Sequence, residues 1–168
     1  MGQSGAVKVD LTSILTSALD LATAQAALTY AKNIPLTDGT GANQADQVWH
    51  DQRTLGASAN ETLDLSGVLT NALGASVLFA RIKAILIFAA ADNTNNVLVG
   101  NTPTNGWFTW CGAAGNWIIV RPGGLMLLVA PDATGYTVTA GTGDDLKITN
   151  SGAGTSITYD IILIGATA

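Results

Sequence analysis

A single glutamate, Glu61, occurs among the 168 residues, and lysine and arginine together number only seven. Surface helices normally take their solvent-facing side from glutamate, lysine and arginine, so this chain has little material for them. Threonine and glycine are abundant instead, and they are typical of exposed strand faces and of the turns between strands. The composition therefore predicts a chain built from β-strands.

Short apolar or alternating runs are separated by turns rich in glycine and asparagine. Residues 136–140 alternate as expected for a strand with one buried face, whereas 125–130 and 161–164 are apolar on both faces, which is typical of strands covered on each side. The predicted strands are 47–55, 60–65, 76–90, 95–100, 116–120, 125–130, 136–140, 146–150 and 156–166. Eight or nine strands at this spacing predict an all-β antiparallel sandwich of the jelly-roll type, with a closed barrel as the alternative.

The first 42 residues fit this pattern less well. Residues 7–11 alternate like a strand, whereas residues 11–19 would also present one apolar helical face, with Asp10 as the N-cap. Pro35 and the glycine-rich turn at 38–41 end any such element. We expect residues 1–42 to form a partly extended arm that leaves the sandwich domain (43–168) and packs on a neighbour. One more hairpin of the same sandwich is the alternative.

The scarcity of charge also bears on assembly. A compact chain of this length would expose about 7,800 Å², which the seven basic and twelve acidic residues share at about 400 Å² each. That area is already the size of the largest apolar patch on a typical monomer. We therefore expect the chain to self-associate, with a dimer or a trimer as the closed form.

The same totals exclude several partners. A net charge of −5 with seven basic residues leaves no basic stripe for a nucleic acid, and the longest apolar run, 84–91, is too short to cross a bilayer. The N-terminal segment has no apolar secretory region, and the lone Cys111 cannot form a disulfide framework. We therefore expect a protein made in a reducing cytoplasm that binds neither nucleic acid nor membrane.

Groups that could carry chemistry are few. His50 is the only histidine, but strand alternation places it on the opposite face from Trp49, and no serine nucleophile elbow lies nearby. Cys111 has no basic neighbour that would lower the pKa of its thiol. Asp144 and Asp145 could hold a cation weakly, although paired acids in a turn are more often solvated. We therefore expect no enzyme, no cofactor and no metal site.

One long segment is almost free of charge. Between residues 93 and 131 the only charged residue is Arg121, and three of the four tryptophans fall in the same segment. Tryptophan and arginine are enriched at interface hot spots, so we predict an interface formed by Trp107, Phe108, Trp110, Trp117 and Arg121. Two alternatives remain open: the indoles fill the core of this chain, or they stack on sugar rings.

Two stretches of the sequence carry a likeness to known proteins. They are residues 39–55, GTGANQADQVWHDQRTL, and residues 121–136, RPGGLMLLVAPDATGY, which continue to 151–160, SGAGTSITYD. Both resemble segments of small structural proteins encoded by tailed bacteriophages, and the likeness covers roughly residues 39–168. Within that group the chain is most similar to the jelly-roll capsid cement, or decoration, proteins.

This resemblance implies a non-enzymatic virion protein with no catalytic residues. A cement protein binds the major capsid protein on the outside of the shell and stabilises the assembled state by mass action. The alternative is a phage tail or fibre component that recognises a host-surface glycan through the aromatic segment. In either case we expect the chain to be made in the cytoplasm of the bacterial host and to end in the virion.

Overall fold

The computed structural model describes residues 2–67 and 69–168, and all of its regular structure is β. None of the described residues forms a helix that could cross a membrane. In chain order the strands are β1 (Gly5–Ala18), β2 (Thr23–Leu36), β3 (Gln47–Leu55), β4 (Asn60–Asp64), β5 (Leu69–Thr70), β6 (Ser76–Val77), β7 (Arg81–Ala89), β8 (Val97–Gly100), β9 (Trp117–Val120), β10 (Leu125–Val129), β11 (Tyr136–Thr137), β12 (Asp145–Asn150) and β13 (Ile157–Ala166).

Two antiparallel sheets form the body of the molecule. The larger sheet has the order β10-β7-β13-β3, with β11 also paired to β7, and the smaller sheet has the order β4-β12-β8-β9. β5 and β6 pair only with each other. The predicted all-β antiparallel sandwich is thereby confirmed.

Most predicted strand bounds agree with the structure to within two residues, with two corrections. The strand predicted at 136–140 is only two residues long, because β11 pairs with β7 at Tyr136 and Thr137 alone. The single strand expected at 76–90 is two strands, because β6 ends at Val77 and β7 begins at Arg81. Between them the amide of Phe79 donates to the carbonyl of Leu65, 3.0 Å away, and its ring is buried in the core. The chain therefore passes from the β5–β6 pair to the larger sheet within residues 76–90, a stretch whose sequence periodicity alone predicts one continuous strand.

The core lies between the two sheets and follows the two-residue period of the strands. In β13 the side chains of Ile157, Tyr159, Ile161 and Leu163 are all buried and point inward. Ile162, which lies between the last two, is 38% exposed on the other face of the sheet. Residues 161–164 are therefore apolar on both faces, as the sequence shows, but within one chain only the inner face is covered.

The only glutamate links the two sheets. Glu61 lies on β4 of the smaller sheet, whereas Arg53 and Tyr159 pair with each other on β3 and β13 of the larger one. The Tyr159 hydroxyl donates to Glu61 Oε1 at 2.6 Å, and Arg53 Nε donates to Glu61 Oε2 at 2.6 Å. Arg53 Nη1 also contacts Asp51 Oδ2 at 2.8 Å. A half-buried carboxylate that accepts from both partners satisfies the buried Tyr159 hydroxyl, which would otherwise be costly to bury.

This network predicts how stability depends on alkaline pH. Burial, and then the hydrogen bond to Glu61, raise the pKa of Tyr159 well above its usual range. The unfolded chain loses the proton near pH 10 while the folded chain keeps it, so the stabilisation is complete below pH 10 and declines above it. We expect the unfolding free energy to fall above pH 10 by up to about 1.4 kcal/mol per pH unit from this one group.

The test is urea denaturation at several pH values between 8 and 11 for the wild type and for Tyr159→Phe. The variant should be less stable at pH 8 by about 1–2 kcal/mol, because a hydrogen bond to a carboxylate is lost. It should also show a shallower decline above pH 10. An unchanged slope in the variant would contradict the assignment.

The N-terminal residues form a separate two-stranded hairpin. β1 and β2 pair over their full 14 residues and pair with no strand of the sandwich. Residues 10–33 are all exposed, and the accessible surface of 8946 Å² exceeds the value of about 7,800 Å² for a compact chain of this size. The helical alternative for residues 11–19 is wrong, as is a further hairpin within the two sandwich sheets. That the arm packs on a neighbour stays a prediction.

The base of the hairpin is fixed to the sandwich. Leu36, the last residue of β2, and Ala45 are fully buried. Between them the amide of Thr37 donates to the carbonyl of Asn43 at 2.9 Å, and the amide of Asn43 donates to the carbonyl of Pro131 at 2.6 Å. The hairpin therefore leaves the body from an anchored connection and not from an unstructured linker.

Candidate interaction surface

The hairpin has one apolar and one polar face. Residues directly opposite in an antiparallel pair share a face, and Leu11 lies opposite Tyr30 while Thr12 lies opposite Thr29. Most large apolar side chains lie on the first of these faces, although it also carries Lys32 and two serines, and Ile14 lies on the other face. We call the first the apolar hairpin face; its large apolar members are Val7, Val9, Leu11, Leu15, Leu28, Tyr30, Ile34 and Leu36.

Most of the apolar hairpin face has no partner within the chain. Leu15 is 74% exposed, Leu11 and Leu28 are each 59% exposed, and Tyr30 is 47% exposed. Only the members next to the sandwich are half-buried or buried. An isolated two-stranded hairpin is at best marginally stable in water, so this face needs a covering surface.

A second apolar surface lies on the outer side of the larger sheet. In register, Leu127 lies opposite Leu86, and Leu86 lies opposite Ile162, so these side chains share one face. Leu125 on the same face is 60% exposed. We call this the outer sheet face; its members are Ala84, Leu86, Phe88, Leu125, Leu127, Ile162 and Ile164.

The two apolar surfaces meet at the base of the hairpin. A groove of about 210 Å³ separates residues 6–8 of β1 from the outer sheet face. Its walls on the sheet side are Ala84, Leu86, Leu127, Ile162 and Ile164. The chain thus places the base of its own hairpin beside the sheet and leaves most of the apolar hairpin face exposed. On the outer sheet face Leu125 and Ile162 stay exposed, and the other members are half-buried or buried.

The structure separates the residues of the predicted aromatic interface. Trp107 is only 2% exposed, its Nε1 donates to the carbonyl of Thr137 at 3.0 Å, and its ring meets the edge of Tyr136 at a centroid distance of 6.4 Å. Trp110 is half-buried, and its Nε1 donates to the carbonyl of Trp107 at 2.9 Å. Trp107 therefore belongs to the core of its own chain, and in this conformation it is not available to another chain.

The other members of that predicted interface are exposed. Trp117 is 51% exposed at the start of the edge strand β9, close to Ile119, which is 53% exposed. Phe108 is 39% exposed, and Arg121 lies on the surface. A role for Phe108, Trp117 and Arg121 in an interface stays a prediction.

The structure gives the surroundings of each residue considered for chemistry. His50 is exposed on β3 whereas Trp49 is 4% exposed, so the predicted opposite orientation is confirmed. Burial raises the pKa of the Cys111 thiol, which disfavours the reactive thiolate at neutral pH. Within residues 2–67 and 69–168, no group of three or more potential metal-ligating side chains is found.

The paired acids are not both solvated, contrary to expectation. Asp144 is only 4% exposed, and its Oδ2 accepts from Ser66 Oγ at 2.5 Å and from the amide of Gly141 at 2.6 Å. These bonds close the turn before β12 and compensate for the burial of the carboxylate. Burial, and then the neighbouring Asp144 and Asp64, raise the pKa of Asp145.

A wider cleft of about 520 Å³ lies beside β3 and the β5–β6 turn. Its titratable lining groups are His50 and Asp46. The two oxygens of Asp46 already accept from Thr167, through the amide at 2.9 Å and the hydroxyl at 2.5 Å. The rest of the lining combines amide and hydroxyl side chains, among them Gln3, Gln47 and Asn71, with small or apolar ones.

Comparisons with known protein families, with curated proteins and with solved structures find no match for this chain. Its function has to be argued from its own surfaces.

The burial of Trp107 predicts opposite outcomes for two tryptophans of one segment. Trp107→Ala should lower the unfolding free energy by about 3–5 kcal/mol, because it removes a large side chain from the core. Trp117→Ala should leave stability within about 0.5 kcal/mol of the wild type, because the side chain lies on the surface. Urea denaturation followed by circular dichroism measures both. Equal losses for the two variants would show that Trp107 is not a core residue.

Proposed function

We propose that this chain is a non-enzymatic structural protein of a tailed-phage virion, which binds the major capsid protein on the outside of the shell and stabilises it. The observation that carries the proposal is the long hairpin with an uncovered apolar face. A soluble monomer gains nothing from 24 consecutive exposed residues that include this face. In a protein that works only when assembled, the same hairpin would contact a neighbouring subunit through its apolar face.

We further propose that the sandwich is a jelly roll. The main strands run in the orders β3-β13-β7-β10 and β4-β12-β8-β9, so each sheet combines strands from the early and late parts of the chain. This is the order expected when two Greek keys wrap around one core, an arrangement common in viral capsid and lectin domains. The resemblance of residues 39–55 and 121–136 to phage structural proteins supports the same assignment.

The physical mechanism of such a protein is linkage. A protein that binds only the assembled shell lowers the free energy of that state by an amount set by its concentration and affinity. The apolar faces supply the area to be buried, and the sparse charge keeps the desolvation cost low. No bond is made or broken, so no catalytic group is needed.

The test begins with the virion of the phage that encodes the chain. We expect antibodies raised against the purified protein to label the heads, and we expect purified protein to co-sediment with heads that lack it. It should also raise the temperature at which those heads release their DNA. Labelling confined to tails, or an absence of labelling on intact virions, would overturn the proposal.

The exposed aromatic side chains support a second function, which is recognition of a host-surface glycan by a tail or fibre component. Phe108 and Trp117 are 39% and 51% exposed, and exposed rings of this kind stack on sugars. If this function is correct, Trp117→Ala should abolish binding to host cells and leave binding to heads unchanged. The decoration function predicts that Trp117→Ala leaves binding to host cells unchanged.

A further inference from the structure

We infer that the surface covering the apolar hairpin face is the outer sheet face of a second copy of this chain, so that neighbouring copies exchange hairpins. This inference rests on the proposed structural role and names the partner of its main surface. Each copy would donate one hairpin and receive one, which closes the assembly as a dimer or a trimer.

One chain holds two apolar surfaces and covers each of them only in part. Residues 10–33 of the hairpin are exposed along their whole length, so the hairpin does not fold down onto its own sheet. On the outer sheet face, Leu125 is 60% exposed and Ile162 is 38% exposed. A second copy supplies the missing counterpart of both surfaces with no further protein.

The hairpin already approaches the outer sheet face at its base. Ala6, Val7 and Lys8 line one side of the groove of about 210 Å³, and the outer sheet face lines the other. Val7 belongs to the apolar hairpin face, whereas Ala6 and Lys8 lie on the opposite face of the hairpin. The chain thus brings one member of the apolar hairpin face to the sheet, and the members further from the body present the same residue types to a neighbour.

The two apolar surfaces carry charges of opposite sign. Along the apolar hairpin face the one charged residue is Lys32, which lies opposite Val9. The outer sheet face is bordered by Asp160, which lies opposite Phe88 in β7 and accepts a hydrogen bond from Gln52 at 2.8 Å. A cation on one surface and an anion beside the other favour their association and disfavour pairing of two hairpins, which would bring two lysines together.

The area is sufficient for a specific contact. The exposed part of the hairpin runs from the pair Asp10–Ala31 to the pair Ala18–Thr23. At about 3.4 Å per residue this part is about 31 Å long, and two strands about 4.8 Å apart present a face of about 300 Å². Covering it with an equal area of sheet buries about 600 Å² per exchanged hairpin, so a two-fold exchange buries about 1,200 Å², which reaches the range of stable specific interfaces.

The first experiment compares neighbouring positions on the two faces of the hairpin. Leu28 lies on the apolar face, and Thr29, the next residue, lies on the polar face. Leu28→Asp should shift the sedimenting species from the oligomer to the monomer, while Thr29→Asp should leave the oligomer intact. Both positions are exposed and lie outside the core, so circular dichroism should show a folded sandwich in each variant. An oligomer that survives Leu28→Asp, or a wild type that sediments as a monomer, overturns the inference.

The second experiment identifies what the hairpin contacts. In a Cys111→Ser background, one population carries Leu28→Cys and another carries Leu127→Cys, so each chain holds a single thiol. After mixing and treatment with a short bis-maleimide, the expected product is a heterodimer of the two variants, at several-fold higher yield than when Thr29→Cys replaces Leu28→Cys. Dimers of Leu28→Cys with itself, without heterodimer, would show hairpin-to-hairpin packing and overturn the inference.

The inference and the proposed function can fail separately. Heterodimer formation by a protein that does not bind heads would refute decoration and leave the exchange of hairpins standing. A protein that binds heads but forms no heterodimer, and stays monomeric until heads are added, would show that the capsid protein covers the hairpin. That result would overturn the exchange and leave decoration standing.

Discussion

Burial of the inner faces of two antiparallel sheets is the interaction on which the rest of this structure depends. With so few charged side chains, the chain relies on interleaved aliphatic and aromatic residues, and nearly every inward position of β7, β12 and β13 is fully buried. The two sheets are also connected by hydrogen bonds from Arg53 and Tyr159 to Glu61. This core also fixes Leu36 and Ala45, and through them the direction in which the hairpin leaves the body.

The same core leaves two other apolar surfaces uncovered, and they account for the proposed role. A sandwich can bury only one face of each sheet, so an outer face as apolar as that of β10, β7 and β13 requires a partner. The hairpin adds a second surface of the same kind, and a two-stranded hairpin is at best marginally stable without a covering surface. An assembly in which these surfaces meet satisfies both requirements with one contact, whether or not a capsid is also present.

Much of the sandwich could be predicted from the sequence because strand periodicity and turn residues are local signals. β3 coincides with the predicted strand 47–55, and most other strands match within a few residues. β2 was missed because alanines alternate there with Tyr30, Leu28 and polar residues, and alanine carries little information about which face is buried. For β1 the sequence leaves two interpretations open, because residues 7–11 alternate like a strand whereas residues 11–19 also present one apolar helical face. The apolar and polar faces of the hairpin become distinct only when the register between β1 and β2 is known.

The candidate surfaces were less predictable than the fold. The segment with a single charge pointed to its tryptophans, but composition cannot distinguish a chain's own core from an interface. Trp107 lies in the core, whereas Trp117 is 51% exposed. The outer sheet face was visible as runs that are apolar on both sides. Whether those runs are covered by the same chain or by another depends on the tertiary arrangement, which spacing does not reveal.

Hydrogen exchange of the backbone amides in residues 10–33, measured above and below the concentration at which the chain associates, tests the central claim most directly. If the apolar hairpin face is buried only in the assembly, these amides are slow to exchange in the oligomer. On dilution to the monomer they become fast, while the amides of β7 and β13 stay protected throughout. Protection of the hairpin that is independent of concentration, or fast exchange in the oligomer, would contradict it.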